Sequence, residues 1–516
     1  MSYASAQLSL HTEPLKRSVC SGSFVRHSLE HITRAHGAEV TYYDSNGAGL
    51  AINDLDNDGD LDIILAQLKG KNSIFWNEGK ISFRQETLSH GNSRAVASVD
   101  VNGDGLLDIV FTQSTGSLAY WQNTGSAFKF SELKGVTYPA YTMLWFDADG
   151  DGDLDLATAS YDSLLEKELK DQFLFSEGAG VIYYEQDNGY FKASRLAETS
   201  QALAMSLVDA NQDGQQDLII GNDFETPDYI FLWTINGWQE APARLSTTRN
   251  TMSFATGDVD NDGKTELFAT DMKPDFSNPT ALAQWMPLMQ QSYERKVAKQ
   301  SQLEENFLYD ADFNNLAYSL GVDATGWSWS GKFGDLNNDG FLDLYVVNGM
   351  IAKEVFSHLP NFELVEKNQV FKGNAHSFES MQDWHLNATE SGRGMSMADL
   401  DSDGDLDIIV NNLESPALIF ENRVCGGNAL EIDLKWDTAN TKAVGATLTL
   451  ETSSLTLTRT VSSISGYLSG DPSRIHFGIP EGEEIVSLSI FWPDGYVSVH
   501  KNLDLNTLVT IGRSAL

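Results

Sequence analysis

Seven short stretches of the chain place acidic or amide side chains at alternate positions ahead of a glycine. They read "DLDNDGDLD", "DVNGDGLLD", "DADGDGDLD", "DANQDGQQD", "DVDNDGKTE", "DLNNDGFLD" and "DLDSDGDLD", and begin at Asp54, Asp100, Asp147, Asp209, Asp258, Asp335 and Asp399. A single copy would pass for a charged turn. Seven in one frame, at intervals of 46, 47, 62, 49, 77 and 64 residues, are a repeat. Oxygens at positions one, three and five face one concavity, glycine at six permits the bend, and an acid at nine can close the shell. Hard oxygen donors without His or Cys select Ca2+ over zinc or copper, and Mg2+ keeps too many of its own waters to suit them.

The expected ligands are Asp54, Asp56, Asp58 and Asp62 in the first loop and Asp100, Asn102, Asp104 and Asp108 in the second. The third loop offers Asp147, Asp149, Asp151 and Asp155, and the fourth Asp209, Asn211, Asp213 and Asp217. Asp258, Asp260, Asp262 and Glu266 serve the fifth, Asp335, Asn337, Asp339 and Asp343 the sixth, and Asp399, Asp401, Asp403 and Asp407 the seventh. Up to seven calcium ions are implied. An EF-hand starts in the same way but closes at position twelve between helices. Here strands flank the loops, with "GLAIN" and "DIILA" around the first and "AVAS" and "DIVF" around the second.

Further strands must hold these loops in place. After the first loop come "NSIFWNEG" and "ISFRQETL", and after the second "SLAYWQNTG" and "FKFSEL". Four short strands per roughly 45 residues is the pattern of a propeller blade. The expected fold is therefore all-β, a seven-bladed β-propeller over residues 23–426. No fourth strand follows "ALIFEN" in the last repeat, but "SFVRHSLEH" (23–31) mirrors "SFRQETLSH" (82–90), so the front of the chain is expected to close blade seven. That closure would bring Cys20 toward Cys425, either as a disulfide or as two unrelated thiols.

Residues 1–22 read as a tail. Insertions are expected near 162–175, 272–325 and 350–390, the first two helical and the second interrupted at Pro287. From residue 427 to 516 the alternation of "NALEIDLKW", "GATLTLET" and "IVSLSIFW" predicts a separate small β domain without a metal motif.

The net charge of −39 makes nucleic acid an unfavourable partner, and no 18-residue apolar run suggests a membrane span. The first residues lack the basic and apolar segments of a secretory signal, which leaves a cytoplasmic location open.

The acidic loops resemble FG-GAP/VCBS repeats of integrin-type propellers. The tail, through "VGATLTL", "SGYLSGDPSRIHFGI" and "FWPDGYV", resembles the ASPIC/UnbV domain. The combination is similar to the cartilage acidic protein and UnbV family, and "ATGWSWSGKFGDLNNDGFLDLYVVNG" is similar to its bacterial members. That resemblance implies a secreted or extracytoplasmic protein engaged in calcium-dependent interaction.

The repeat also serves as a ruler for the channel. Six residues before each loop stand Ala48, Arg94, Tyr141, Leu203, Met252, Trp329 and Arg393, and Trp327 lies two further back on the same face. Arg94 and Arg393, with Tyr141, Trp327 and Trp329, would form a basic, aromatic-lined mouth suited to a carboxylate or phosphate, unless acids of neighbouring blades pair with the arginines. His376, Glu379, Asp383 and His385 fit no metal template. Two functions follow. One is a calcium-stabilised module binding a protein or glycan. The other is an enzyme acting on a small anionic or lipophilic molecule at the channel mouth, with calcium structural.

Overall fold

The computed structural model of the chain describes residues 7–88, 91–170, 180–224, 226–241, 247–276, 278–295, 304–424 and 426–515. Among them, each acidic loop joins the first two strands of an antiparallel sheet, and seven such sheets are present. The second strands, such as Asp62–Leu65, Asp108–Gln113 and Asp407–Asn412, are almost wholly buried, because a sheet flanked on both faces needs apolar side chains in both directions. The outermost strands, such as Phe83–Thr87 and Ser377–Ser380, are polar and exposed, which protects their open edges from pairing with other chains. Each innermost strand packs against that of the next sheet. The seventh, Gly392–Ala398, packs against the first, Leu50–Asn53, so the inner strands form a closed circuit.

The seventh sheet takes its outer strand from the front of the chain. Val25–Ile32 runs antiparallel to Pro416–Glu421, with Val25 opposite Glu421 and Ser28 opposite Leu418. Cys425 lies outside the described residues, and so does any pairing with Cys20.

Three sequence readings are revised. Residues 8–14 are not tail: Leu8–Pro14 forms an edge strand against Thr507–Arg513 of the C-terminal unit. The helix Pro279–Arg295 runs on through Pro287, since a proline removes one hydrogen bond while the flanking turns retain theirs. The segments assigned to insertions also supply strands. Phe307–Tyr309 is the third strand of the fifth sheet, and Gln369–Asn374 and Ser377–Ser380 complete the sixth. The first insertion gives a short helix, Asp162–Leu169, and residues 171–175 of it lie outside the described residues.

The C-terminal unit contains two four-stranded sheets, one of which pairs Asn428–Trp436 in parallel with Thr507–Arg513. It was expected to stand apart, yet residues 463–470 leave it and enter the axis of the circuit. There the Gly466 N–H bonds Phe254 O at 2.7 Å, Leu468 O accepts Val96 N–H at 3.2 Å, and Ser463 Oγ donates to Trp145 O at 2.7 Å. Ala51 pairs in parallel with Gly470. Gly49 allows this approach, for a β-carbon there would lie 1.7 Å from Leu468 O. Among the described residues, no helix is long and apolar enough to cross a membrane.

Candidate metal centres and the axial cluster

All seven loops share one backbone. Position four (Asn57, Gly103, Gly150, Gln212, Asn261, Asn338, Ser402) takes positive φ between 54° and 76°, and the glycine at six takes φ between 84° and 99°. Asparagine and glycine tolerate the first of these best, and the second favours glycine. In every loop the first aspartate accepts the N–H of the glycine at six, at 2.7–3.1 Å.

The ninth-position acids have a second task beyond the one expected of them. Asp62, Asp108, Asp155, Asp217, Glu266, Asp343 and Asp407 each accept the N–H of position two in their own loop, at 2.9–3.2 Å. In six loops the other oxygen accepts an N–H of the third strand, from Asn77, Asn123, Gln186, Trp233, Gly373 or Asn422, at 2.7–2.9 Å. These acids clasp three chain segments together.

The cation-facing oxygens come mainly from positions one, three and five. In Asp54/Asp56/Asp58, Asp147/Asp149/Asp151 and Asp258/Asp260/Asp262 the ligand atoms lie within 4.8 Å of one another, and in the seventh loop Asp399, Asp401 and Asp407 do so. In the loops with asparagine at three, Asn102, Asn211 and Asn337 turn their Nδ2 toward Asp104, Asp213 and Asp339 at 2.9–3.0 Å. A half-turn of the Asn337 amide would present its oxygen instead, whereas the Oδ1 of Asn102 and of Asn211 already accepts the N–H of Asp104 and of Asp213 at 3.0 Å.

The donor set fits a hard cation. Asp258 Oδ1, Asn337 Oδ1 and Asp403 Oδ2 are buried without a hydrogen-bond partner. Burial, reinforced by neighbouring carboxylates, pushes Asp147, Asp335 and Asp401 up to about 7. Burial opposes the charge in these loops, and a cation would restore it.

The C-terminal unit lies against the loop face. Thr441 Oγ1 donates to Asp100 Oδ2 at 2.8 Å, Arg474 Nη2 to Gly59 O at 2.9 Å, and the Asn440 N–H to Gly152 O at 2.7 Å. Arg459 favours the charged carboxylates of Asp258 and Asp335 and so opposes the larger effect of their burial. The fourth loop is instead touched by the fifth sheet, through Gln212 Nε2 to Ala311 O at 2.9 Å.

Four of the five predicted mouth residues come together. Arg94, Arg393, Tyr141 and Trp329 are at most 2% exposed, sealed beneath the inserted segment. Arg393 lies 4.1 Å over the Trp329 ring and Arg94 5.7 Å over Tyr141. Neither guanidinium forms an ion pair among the described residues. Arg393 Nε donates to Ser45 O at 2.5 Å and its Nη1 to Gly392 O at 2.7 Å, while Arg94 Nη1 donates to Gly47 O at 3.3 Å. Burial pulls Arg393 down to about 9.

Trp327 belongs to a different group, packed 5.5 Å from Trp285 and 5.4 Å from Phe356, with its backbone N–H bonded to Glu366. Sequence reasoning missed Asn46 and Tyr467, which complete the axial cluster through a bond from Tyr467 Oη to Asn46 O at 2.8 Å. His376, Glu379, Asp383 and His385 form no metal grouping among the described residues.

The FG-GAP-like repeat matches residues 54–111, 100–158 and 209–269, and the ASPIC and UnbV domain matches residues 436–515. No curated protein matches the chain. Among solved structures, the crystal structure of BBS1N in complex with ARL6DN, soaked with mercury, aligns with TM-score 0.43 at 9% identity, covering 79% of this chain and 98% of that one. The Saccharomyces cerevisiae Sqt1 aligns with TM-score 0.37 at 12% identity, covering 71% and 82%.

Proposed function

We propose, from the premise of a chain that carries FG-GAP-like repeats and ends in an ASPIC and UnbV domain, that it is a calcium-stabilised seven-bladed β-propeller serving as an interaction module for a protein or glycan. The observation that carries this reading is the common geometry of the seven loops. Four of them bring three carboxylates within 4.8 Å of one another, and three contain a buried oxygen without a partner. Asp54, Asp56 and Asp58, and their counterparts in the other loops, would hold the ion. Calcium would neutralise repulsion there and fix the bend after each inner strand.

The role of calcium in this reading is structural. The acid at nine is engaged by backbone N–H groups, and the C-terminal unit covers much of the loop face. The burial of Arg94 and Arg393 weighs against a small substrate entering along the axis and favours recognition on the outer surface. One such surface is the open depression of about 820 Å3 between Glu39, Thr41, Lys353 and Ser357, on residues outside the acidic loops.

The test is equilibrium dialysis of chelator-treated protein against Ca2+, with bound metal counted by mass spectrometry and melting followed in parallel. Several ions per chain and a melting point that climbs with free Ca2+ are expected. Each site at a hundredfold excess over its Kd adds about 2.7 kcal/mol. A protein that retains no Ca2+ and melts identically in chelator would sink the proposal.

A further inference from the structure

We propose that the closed circuit of inner strands holds a small monovalent anion, of chloride size, on its axis between Arg94 and Arg393. The two guanidiniums come from the second and seventh sheets, on either side of the first. Both grip the same turn, Arg393 through Ser45 O and Arg94 through Gly47 O, so they flank Asn46. Around that residue, Arg94 Nε and Arg393 Nη2 are buried with no hydrogen-bond partner, and the buried Asn46 Nδ2 and Tyr141 hydroxyl have only one another and Tyr467 within reach. All four can donate, and three of them can only donate. Such a set leaves a gap in the shape of an acceptor.

Charge points the same way. Two buried cations with no ion-pair partner are costly, and a neutral water would satisfy the N–H groups without balancing the charge. The nearest acids are otherwise engaged or distant. Asp44 is bound by His36 at 2.7 Å and Thr41 at 2.9 Å, and Glu363 acts on Arg393 only at longer range. Both guanidiniums act on the Tyr467 hydroxyl, Arg94 also acts on that of Tyr141, and Asn46 and Tyr467 reach the Tyr141 hydroxyl, so these side chains are neighbours on the axis.

Size follows from enclosure. Arg94, Arg393, Asn46 and Tyr141 are each at least 97% buried, and Tyr467 closes the axis above them. A phosphate would need more donors and more room than four N–H and O–H groups supply, whereas a halide is satisfied by about that number. The anion is thus sealed in place and joins the C-terminal unit to the axis through Tyr467 and Asn46.

The experiment uses the full chain, purified in gluconate so that no small anion is supplied. Melting is recorded on adding chloride, bromide or nitrate at constant ionic strength and saturating Ca2+, and crystals grown in bromide are examined for anomalous density. A bromide peak within contact of Arg94 and Arg393 is expected, together with a melting rise that depends on the identity of the anion. Tyr141→Phe removes a hydroxyl whose protein neighbours are Asn46 and Tyr467 and keeps the ring. It should fold normally and weaken the anion response about fivefold, the loss of one neutral hydrogen bond. Arg94→Met should abolish the response, and if that variant fails to fold the bromide density and Tyr141→Phe still decide. Water alone between the arginines, with melting that follows ionic strength only, overturns the proposal, and so does a response that Tyr141→Phe leaves unchanged.

Discussion

Asn123 offers a sharp test of how the sheets are locked to one another. Its Nδ2 donates to Leu55 O at 2.8 Å and to Leu107 O at 3.2 Å, and its Oδ1 accepts the Gly125 N–H at 2.9 Å. Leu55 is the second residue of the preceding acidic loop, so one side chain bridges two sheets beneath two candidate metal loops. Asn77 repeats the arrangement toward Leu400, and Asn422 toward Leu336, at 2.7 and 2.8 Å. Asn123→Ala leaves two buried carbonyls without this donor, while the Gly125 N–H is near enough to solvent to bind water. At about 1–2 kcal/mol for each abandoned carbonyl, the loss is about 2–4 kcal/mol.

Asn123→Asp discriminates better, because it keeps the shape and replaces the donor by an acceptor. At neutral pH a carboxylate must then face two carbonyls, and the cost should match or exceed that of alanine. The folded state would raise the carboxyl pKa, so the penalty is absent well below the unfolded pKa of about 3.9 and grows as pH rises through it. Urea unfolding at saturating Ca2+, with Gln122→Ala as an adjacent control expected within about 0.5 kcal/mol, measures both variants. If Asn123→Asp is as stable as the parent at pH 7, the donor role assigned to these asparagines is wrong.

Two further outcomes follow from single side chains. His31, bonded to Ser73 Oγ at 3.0 Å and Ala66 O at 3.2 Å, is pulled down to about 4 by burial. The unfolded chain therefore takes up this proton first, and the stability it withholds is complete above pH ~6.5 and lost as pH falls toward 4, up to roughly 3 kcal/mol. His31→Gln should flatten that part of the acid limb in urea titrations, and an unchanged slope would refute the assignment. Lys332, buried inside the circuit, pairs with Asp471 of the inserted segment. Lys332→Met should cost about 3–5 kcal/mol by leaving the acid unpaired, and adding Asp471→Leu should recover most of it in the same unfolding assay.

Much of this arrangement was legible because its determinants are contiguous. The 1-3-5 oxygens, the glycine at six and the flanking strands all sit within a dozen residues, so spacing alone indicated the loop and its clustering of oxygen donors. The same windows held signals that went unread. Position four is Asn or Gly in five of the seven loops because its φ is positive, and an asparagine stands 23 residues after Asp54, Asp100 and Asp399 because it reaches the neighbouring sheet. The double use of the acid at nine was hidden, since its second partner comes from a strand whose distance along the chain varies with insertions. The axial arginines could be placed by counting back from each loop, but apart from Ser391 Oγ their partners are backbone carbonyls of residues 45, 47, 349 and 392, which no side-chain pattern encodes. Hydrophobic alternation likewise revealed the longer strands of the C-terminal unit and concealed its reach into the axis, because "SGYLSGD" forms only two-residue strands and is rich in small residues.

Those small residues explain why the two ends of the chain behave as one element. Leu8–Pro14 is an edge strand of the C-terminal unit, and Val25–Ile32 completes the seventh sheet a few residues later. The front of the chain therefore bridges the circuit and the C-terminal unit, while residues 463–470 tie the same two bodies along the axis. Gly49 and Gly394 leave room for that insertion, since a β-carbon at Gly394 would fall 2.5 Å from the Gly49 Cα and 2.8 Å from Ser469 Oγ. A circuit closed by its first strand and filled by a late segment cannot be complete until almost the whole chain is present. The many pairings between distant residues make that last step slow, and the unpaired edges and clustered carboxylates of the waiting sheets are exposed meanwhile. A net charge of −39 keeps such intermediates apart, and cation binding at each loop would let a sheet settle before the circuit closes. On this reasoning the acidic loops would act first as supports for folding.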